Sequence, residues 1–414
     1  MKEYQKTLDY LYSQLPMFQR MGAAAFKKDL TNIRKLCTAL GNPQEQFKSI
    51  HIAGTNGKGS VAFMLSAILQ AQGYKTGLYV SPHYKDFRER IRINGKYVSR
   101  QFVIDFTNKI KPLAEEIRPS FFEMTVAMAF ACFAEQHVDV AVVEVGMGGR
   151  LDSTNILKPE LCVITNIGFD HMQFLGDTLP EIAGEKAGII KTNIPVVIGE
   201  THPETKPVFL QKATEAQAPI TFADQHWRAE ITNTGLLETT FDVFQNEELR
   251  YANLRVNAYG DYQTKNVQTV LQAVELLREP FGLTDGNIRY ALEHLRALTR
   301  YIGRWQLLGE RPTILCDSAH NEEGLRLAMQ QLQKIPYHNL HIVFGVVQDK
   351  DIATMLAILP HKARYYFAKA NVPRGLDAQQ LREKANALGL QGRAYVSVKN
   401  ALRAAKRRAA NDDL

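Results

Sequence analysis

The sequence predicts an α/β protein of two domains: a larger N-terminal domain on a mostly parallel sheet, and a smaller Rossmann-like α/β C-terminal domain. Three observations lead there. The chain has 414 residues, more than one ordinary compact core accommodates. Continuous apolar, β-branched runs at 49–53, 76–80, 139–145, 161–166 and 195–198 alternate with helical periodicity, as at 60–71 and 122–134. Apolar strands separated by helices are the pattern of a parallel sheet covered on both faces. A second series follows, with strands near 313–316, 341–346 and 365–368. Between the two series lies a less regular region, about 201–257, then a helical stretch to about Leu298. The boundary is expected near 299–303, dividing the chain into residues 1–299 and 300–414.

Composition narrows the class. With 45% hydrophobic and 22% charged residues, the chain reads as soluble and globular. The apolar run 125–134 falls short of the roughly 20 residues that cross a bilayer. The N-terminus, MKEYQKTLDY, lacks the apolar centre of a signal peptide. Cys37, Cys132, Cys162 and Cys316 are scattered and form no CxxC pair, so inert buried thiols in a reducing cytoplasm are expected. The formal charge of +7 fits either a lysine-rich solvated surface or a preference for anionic ligands. The basic stretch 403–408 reads as an exposed helix face, without interleaved aromatics for stacking nucleic-acid bases. The expectation is a cytoplasmic monomer with small-molecule partners, and neither nucleic acid nor membrane.

The strand at 49–53 runs into His51-Ile-Ala-Gly-Thr-Asn-Gly-Lys-Gly-Ser60, which opens a helix. Gly54, Gly57 and Gly59 let the backbone turn tightly and aim N–H groups inward. Lys58 would reach terminal phosphates, and the helix offers its positive end. Thr55, Asn56, Gly57, Lys58, Gly59 and Ser60 are therefore candidate nucleotide-binding residues of a P-loop-type ATPase domain. The alternative is a glycine-rich turn with an exposed lysine. The usual GxxxxGK[ST] pattern is not met, because Ile52 occupies its first glycine position and Gly59 separates Lys58 from Ser60. The string GTNGKGS instead resembles the loop of the folylpolyglutamate synthase/dihydrofolate synthase family, within the Mur ligase superfamily.

Further segments carry the same resemblance, from about Tyr10 to the end of the chain. Ser81-Pro82-His83 and Phe87–Gly95 are similar to the family's SPH…ERI…NG segment. Ser81 alone reads as a turn hydroxyl; the resemblance makes it a Mg²⁺ ligand. His83 is given no catalytic role. Glu144 ends the apolar run 139–145, where a parallel strand points into the ligand crevice, and a glutamate suits Mg²⁺. Alone it would be a loop cap; the string EVGMGGRLDSTN implies a metal ligand. His171, in TNIGFDH, suggests hydrogen bonding or a general base on chemistry alone; the resemblance assigns it to the metal with Ser81 and Glu144. Lys186, in EKAGIIK, reads as an ordinary helix-surface lysine. The resemblance implies that CO₂ carbamylates it to hold a second Mg²⁺.

Asn266, in GDYQTKN, resembles the asparagine contacting the adenine nucleotide. Arg304, in Gly303-Arg-Trp, and Asp317, in DSAHN, match positions expected on phosphate and ribose. Many relatives have glycine where this chain has Ser318, and His320 would bind or orient substrate. Phe121, Phe122 and Glu123, with Leu151, Asp152 and Ser153, match positions that bind the pteridine-bearing substrate; paired phenylalanines opening a helix also read as plain core. Relatives continue past an Asn-Asp-Asp-Leu segment into a last strand and helix, so the C-terminal domain is expected to lack them.

The resemblance implies ATP-dependent ligation of L-glutamate to a folate-type carboxylate (tetrahydrofolate, dihydropteroate or both) through an acyl phosphate, with ATP held between the domains. Lys58, His171 and Lys186 would carry the chemistry, with Mg²⁺ at two sites. A peptidoglycan-precursor ligase fits GTNGKGS and DSAHN less well. A P-loop switch would turn over nucleotide without glutamate.

Overall fold

The computed structural model describes residues 2–16, 29–235, 237–348, 351–372 and 374–414. They fall into two compact units, one running to Tyr301 and one formed chiefly by Ile302–Leu414 with Tyr259–Asp261.

The first unit is built on eight strands: β1 (Lys48–Ala53), β2 (Thr76–Tyr79), β3 (Ile91–Ile93), β4 (Lys96–Tyr97), β5 (Val140–Glu144), β6 (Leu161–Ile164), β7 (Val196–Ile198) and β8 (Ile220–Phe222). Their order is β4-β3-β2-β5-β1-β6-β7-β8. From β2 to β8 the pairing is parallel, while β3 and β4 add an antiparallel edge. Every residue of β5 is buried, because alternate side chains feed two separate cores. Val140 and Val142 pack with the helices Lys58–Ala71 and Gln263–Phe281, whereas Ala141 and Val143 pack with the helices Arg100–Ile117 and Phe121–Glu135. That double cover explains the unbroken apolar runs. The loops after β1, β2, β5 and β6 all leave the C-terminal edge of the sheet, where open parallel sheets bind their ligands.

The region expected to be less regular is ordered. It holds the helix Lys206–Glu215, strand β8, and an antiparallel meander of β9 (Trp227–Thr234), β10 (Thr239–Gln245) and β11 (Glu248–Val256). The β10–β11 turn places Asn246 and Glu247 at φ 48° and 68°. That is the backbone of a tight hairpin, formed here without the glycine that normally signals one.

In the second unit, β12 (Gln306–Glu310) and β13 (Thr313–Cys316) make an antiparallel hairpin. Strands β14 (His341–Phe344), β15 (Arg364–Ala368) and β16 (Gly392–Tyr395) form a separate parallel sheet. The strand expected at 313–316 therefore pairs back on β12 rather than joining the parallel series. Asp412–Leu414 bond to the backbone of 338–341. Cys37, Cys132 and Cys162 are buried, and burial pushes each thiol up to about 12. Cys316 departs from the expected burial and is exposed at the end of β13. Among the described residues no helix is long and apolar enough to cross a membrane.

Candidate active site

The loop after β1 is shaped by two glycines. Gly54 adopts φ +144°, and a Cβ there would lie 1.9 Å from Thr165 Oγ1. Gly57 adopts φ +83°, and a Cβ there would lie 2.3 Å from Asn266 Oδ1. The loop after β6 laces the turn in place. Thr165 Oγ1 donates to Asn56 O at 2.5 Å, Asn56 N donates to Asn166 Oδ1 at 2.8 Å, and Gly168 N donates to Thr55 Oγ1 at 2.9 Å. The first intrahelical bond runs from Val61 N to Gly57 O, 2.9 Å. The N–H groups of Lys58, Gly59 and Ser60 thus precede the helical ladder, which makes this helix start an anion site. Gly57→Ala is expected to cost at least about 1–3 kcal/mol, from positive φ alone. The check is chemical denaturation beside nucleotide titration, with both falling together.

Two lysines converge on that turn. Lys58 Nζ donates to Gly54 O at 2.9 Å and to Thr55 O at 3.1 Å. Lys186 Nζ, on the helix Leu179–Ala187, donates to the same Gly54 O at 2.9 Å. Lys186 is only 4% exposed. Burial first, and then the charge of Lys58, push its ammonium down to about 7, against the pull of Asp170 and Asp152. Two cations sharing one carbonyl beside a helix N-terminus form a strongly anion-seeking corner. The helix carrying Lys186 is tied to the loop after β5, where Arg150 N donates to Glu185 O at 2.8 Å and its guanidinium pairs with the Glu185 carboxylate.

Glu144 ends β5 and is 5% exposed. Its Oε2 accepts from Ser81 N at 3.1 Å, which brings the ends of β5 and β2 together. The same carboxylate faces the first turn of the loop helix, since a Cβ on Gly59 would stand 3.8 Å from Oε2 and 3.9 Å from Oε1. His171 is half-buried in the left-handed region at φ 52°. Its Nε2 lies 3.7 Å from Asp170 Oδ2. Asp170 was not singled out from the sequence, although it belongs to the quoted TNIGFDH string.

Some candidate residues have other employment. Ser60 Oγ lies 2.9 Å from Tyr301 Oη in the core, so what remains of Ser60 for an anion is its backbone N–H. Phe121 is core, packed among Tyr12 and Phe87 with the Arg90 guanidinium over its ring. Glu123 is buried in a capping box: its carboxylate accepts from Ser120 N at 2.7 Å while Glu123 N donates to Ser120 Oγ, the reciprocal arrangement that closes a helix start. Asp152 is buried and accepts from Gly146 N, Met147 N, Thr154 N and Thr154 Oγ1. Burial raises its pKa while those donors oppose the rise. Its carboxylate therefore organises the loop after β5. Beside it Ser153 is buried and Leu151 half-buried. Phe122 is half-buried against Gly146, with its ring 6.3 Å from that of Tyr79.

His83 has a fixed tautomer. Arg90 Nε donates to its Nδ1 at 2.9 Å, which leaves the neutral ring's proton on Nε2, 3.3 Å from Tyr12 Oη. Burial and Arg90 lower its pKa to about 4.

In the second unit, Asp317 joins two loops. Its Oδ2 accepts from Trp305 N at 2.7 Å and its Oδ1 from Ala319 N at 2.8 Å, while Ser318 Oγ donates to Gly303 O at 2.6 Å. Ser318 thus gives its loop a side-chain tie that glycine has no atom to make. Arg304 is half-buried between those ties, and His320 is exposed with its Nδ1 donating to Ser318 O.

A glycine-shaped anion loop on a parallel sheet, followed by a separate α/β unit, agrees with the comparisons. Residues 52–274 match the family model of the Mur ligase middle domain, and residues 303–414 that of the Mur ligase glutamate ligase domain. The chain is 36% identical to the dihydrofolate synthase/folylpolyglutamate synthase of Bacillus subtilis, over 86% of each chain. The Escherichia coli FolC structure in complex with DHPP and ADP is 28% identical, with a TM-score of 0.85, covering 99% of this chain and 93% of that one. A bifunctional folylpolyglutamate synthase/dihydrofolate synthase with Mn, AMPPNP and L-glutamate bound is 30% identical, with a TM-score of 0.83 and coverage of 99% and 93%. The chain belongs to the Mur ligase family, and within it to the folylpolyglutamate synthase/dihydrofolate synthases.

Proposed function

We infer that this chain ligates L-glutamate to a folate-type carboxylate at the expense of ATP, releasing ADP and phosphate. The observation that carries this reading is the convergence of Lys58 and Lys186 on Gly54 O, beside the helix-start N–H groups and the buried Glu144. The membership reported above supplies the substrates.

The N–H groups of residues 58–60 seat the transferring phosphates, with Thr55 and Asn56 holding the loop and Asn266 packed on Gly57. Lys58 turns from its own loop carbonyls to the phosphate oxygens and stabilises the charge that develops as the γ-phosphoryl group moves to the substrate carboxylate. The acyl phosphate then yields to the glutamate amine. An amide N–C bond forms, the acyl C–O bond to phosphate breaks, and the amine proton passes to solvent. Arg304 contributes a phosphate contact, Asp317 accepts from ribose hydroxyls, and His320 orients substrate. Phe122 and Leu151 are the half-buried members of the proposed pterin-binding set, whereas Ser153 is buried beside Asp152.

The donor set fits a divalent cation by its chemistry: a buried carboxylate at a strand end, a serine held to it through its backbone, and a histidine in the loop after β6, which leaves the same edge of the sheet. Ser81, Glu144 and His171 would hold one Mg²⁺ and a carbamylated Lys186 a second, and these ions would neutralise charge on the nucleotide phosphates. The corner around Lys186 suits this, because CO₂ would turn one of two crowded cations into an anion.

The test is ADP release measured with dihydropteroate and with tetrahydrofolate, each with and without L-glutamate. Release should depend on both the folate and glutamate. Turnover that proceeds equally without glutamate would instead favour a nucleotide switch.

A further inference from the structure

Behind the phosphate loop lies a buried polar relay that the proposed chemistry does not use. Tyr301 Oη sits 2.9 Å from Ser60 Oγ and accepts from Gln263 Nε2 at 3.3 Å. Gln263 Oε1 accepts from Asn266 Nδ2 at 2.9 Å. Asn266 turns its Oδ1 against Gly57, so closely that only a glycine fits. The four side chains are nearly inaccessible: Ser60 3%, Tyr301 2%, Gln263 0% and Asn266 6% exposed. The relay therefore starts on the third residue of the loop helix and returns to the residue that caps it. It encircles the turn whose N–H groups face the anion site.

Tyr301 is itself held on several sides. Its ring meets Phe63 edge-on at 5.2 Å, and the Arg296 guanidinium lies over it at 5.5 Å. Buried Arg92 donates from Nη1 to Thr299 O at 2.8 Å, fixing the backbone two residues before it. A core could fill this space with apolar side chains at less desolvation cost. What hydrogen-bonded groups add is a single defined geometry.

We propose that Tyr301 and Gln263 are positioning residues for the nucleotide, acting through Ser60 and Asn266 to fix the first turn of the phosphate-loop helix. The proposal rests on the reading of that loop as the nucleotide site, and it concerns affinity rather than which acid is ligated.

Its test is therefore the dissociation constant for AMPPNP, measured by calorimetry without folate or glutamate, on chains whose melting temperature is recorded in parallel. Wild-type binding of AMPPNP tests the nucleotide reading by itself. Tyr301→Phe and Gln263→Leu should each weaken binding about tenfold, the size of one net hydrogen bond. They should raise KM for ATP while leaving KM for glutamate unchanged. Ser60→Ala combined with Tyr301→Phe should be little worse than either alone, because both remove one shared contact. A folded Tyr301→Phe chain with wild-type AMPPNP affinity overturns the proposal, even if it melts lower, since that is what a purely structural role predicts. If Tyr301→Phe does not fold, Ser60→Ala, which leaves the tyrosine and Gln263 joined, decides by the same reading.

Discussion

Lys58→Ala should lower the rate of glutamate-dependent ADP release by about 10²–10³, the usual consequence of losing one preorganised donor to a developing charge. The fold should survive. Alanine is an excellent residue at a helix start, and Gly54 O, which loses Lys58, still accepts from Lys186. Thr55 O lies in a half-buried loop that water reaches. The melting temperature should therefore move little while turnover collapses. A near-normal rate in a folded Lys58→Ala chain would remove the lysine from the chemistry and with it the phosphate-loop reading. The substitution has a second consequence. Lys58 is one of the charges that hold the Lys186 ammonium low, so its removal raises the proton affinity of Lys186 toward that of an ordinary lysine.

The legibility of these two lysines in the sequence differs for a physical reason. Lys58 stands inside a glycine-marked turn between an apolar strand and a helix, so its setting is local and readable. Lys186 looks like any helical lysine, and its partner carbonyl lies 132 residues away. The same distance effect hid Tyr301, which meets Ser60 across 241 residues. Ser60 was assigned to the nucleotide because its spacing in the motif is visible, whereas the tyrosine that takes its hydroxyl is not. The parallel sheet was legible because burial on both faces leaves unbroken apolar strands. The β9–β11 meander was not: Asn246-Glu247 carries the β10–β11 turn without a glycine, and the last five residues of β9 and the first three of β11 are all exposed, so neither strand shows an unbroken apolar run. Glu123 and Asp152 show a further limit. A carboxylate beside a helix start reads equally as ligand or cap, and only the hydrogen bonds at 2.7 Å from Ser120 N and 2.5 Å from Thr154 Oγ1 distinguish them.

Lys186→Ala should also lower ligation by about 10²–10³, and the manner of the loss tests carbamylation. The carbamate forms when a neutral amine attacks CO₂: an N–C bond is made, and a proton leaves the nitrogen for solvent. Only the unprotonated amine has the lone pair to do this. Burial and the neighbouring Lys58 lower the Lys186 pKa to about 7. A lowered pKa favours the neutral base, so near pH 7 about half of such amines are ready, against roughly one in 10³ for an exposed lysine. Geometry points the same way, because the ammonium is held on Gly54 O beside a second cation, where an anion would relieve the repulsion. Acetate should partly restore the alanine variant by supplying a carboxylate to the vacated space, and it should do nothing for Lys58→Ala. Wild-type activity should fall after prolonged dialysis into bicarbonate-free buffer and return on adding bicarbonate. Intact mass recorded under non-acidic conditions should show a carboxyl adduct that is absent from Lys186→Ala. Lys58→Ala should hold less of the adduct at a given pH, since its Lys186 is more fully protonated. Full activity of Lys186→Ala would overturn the carbamate, and leave that corner as a simple cationic cradle for phosphate.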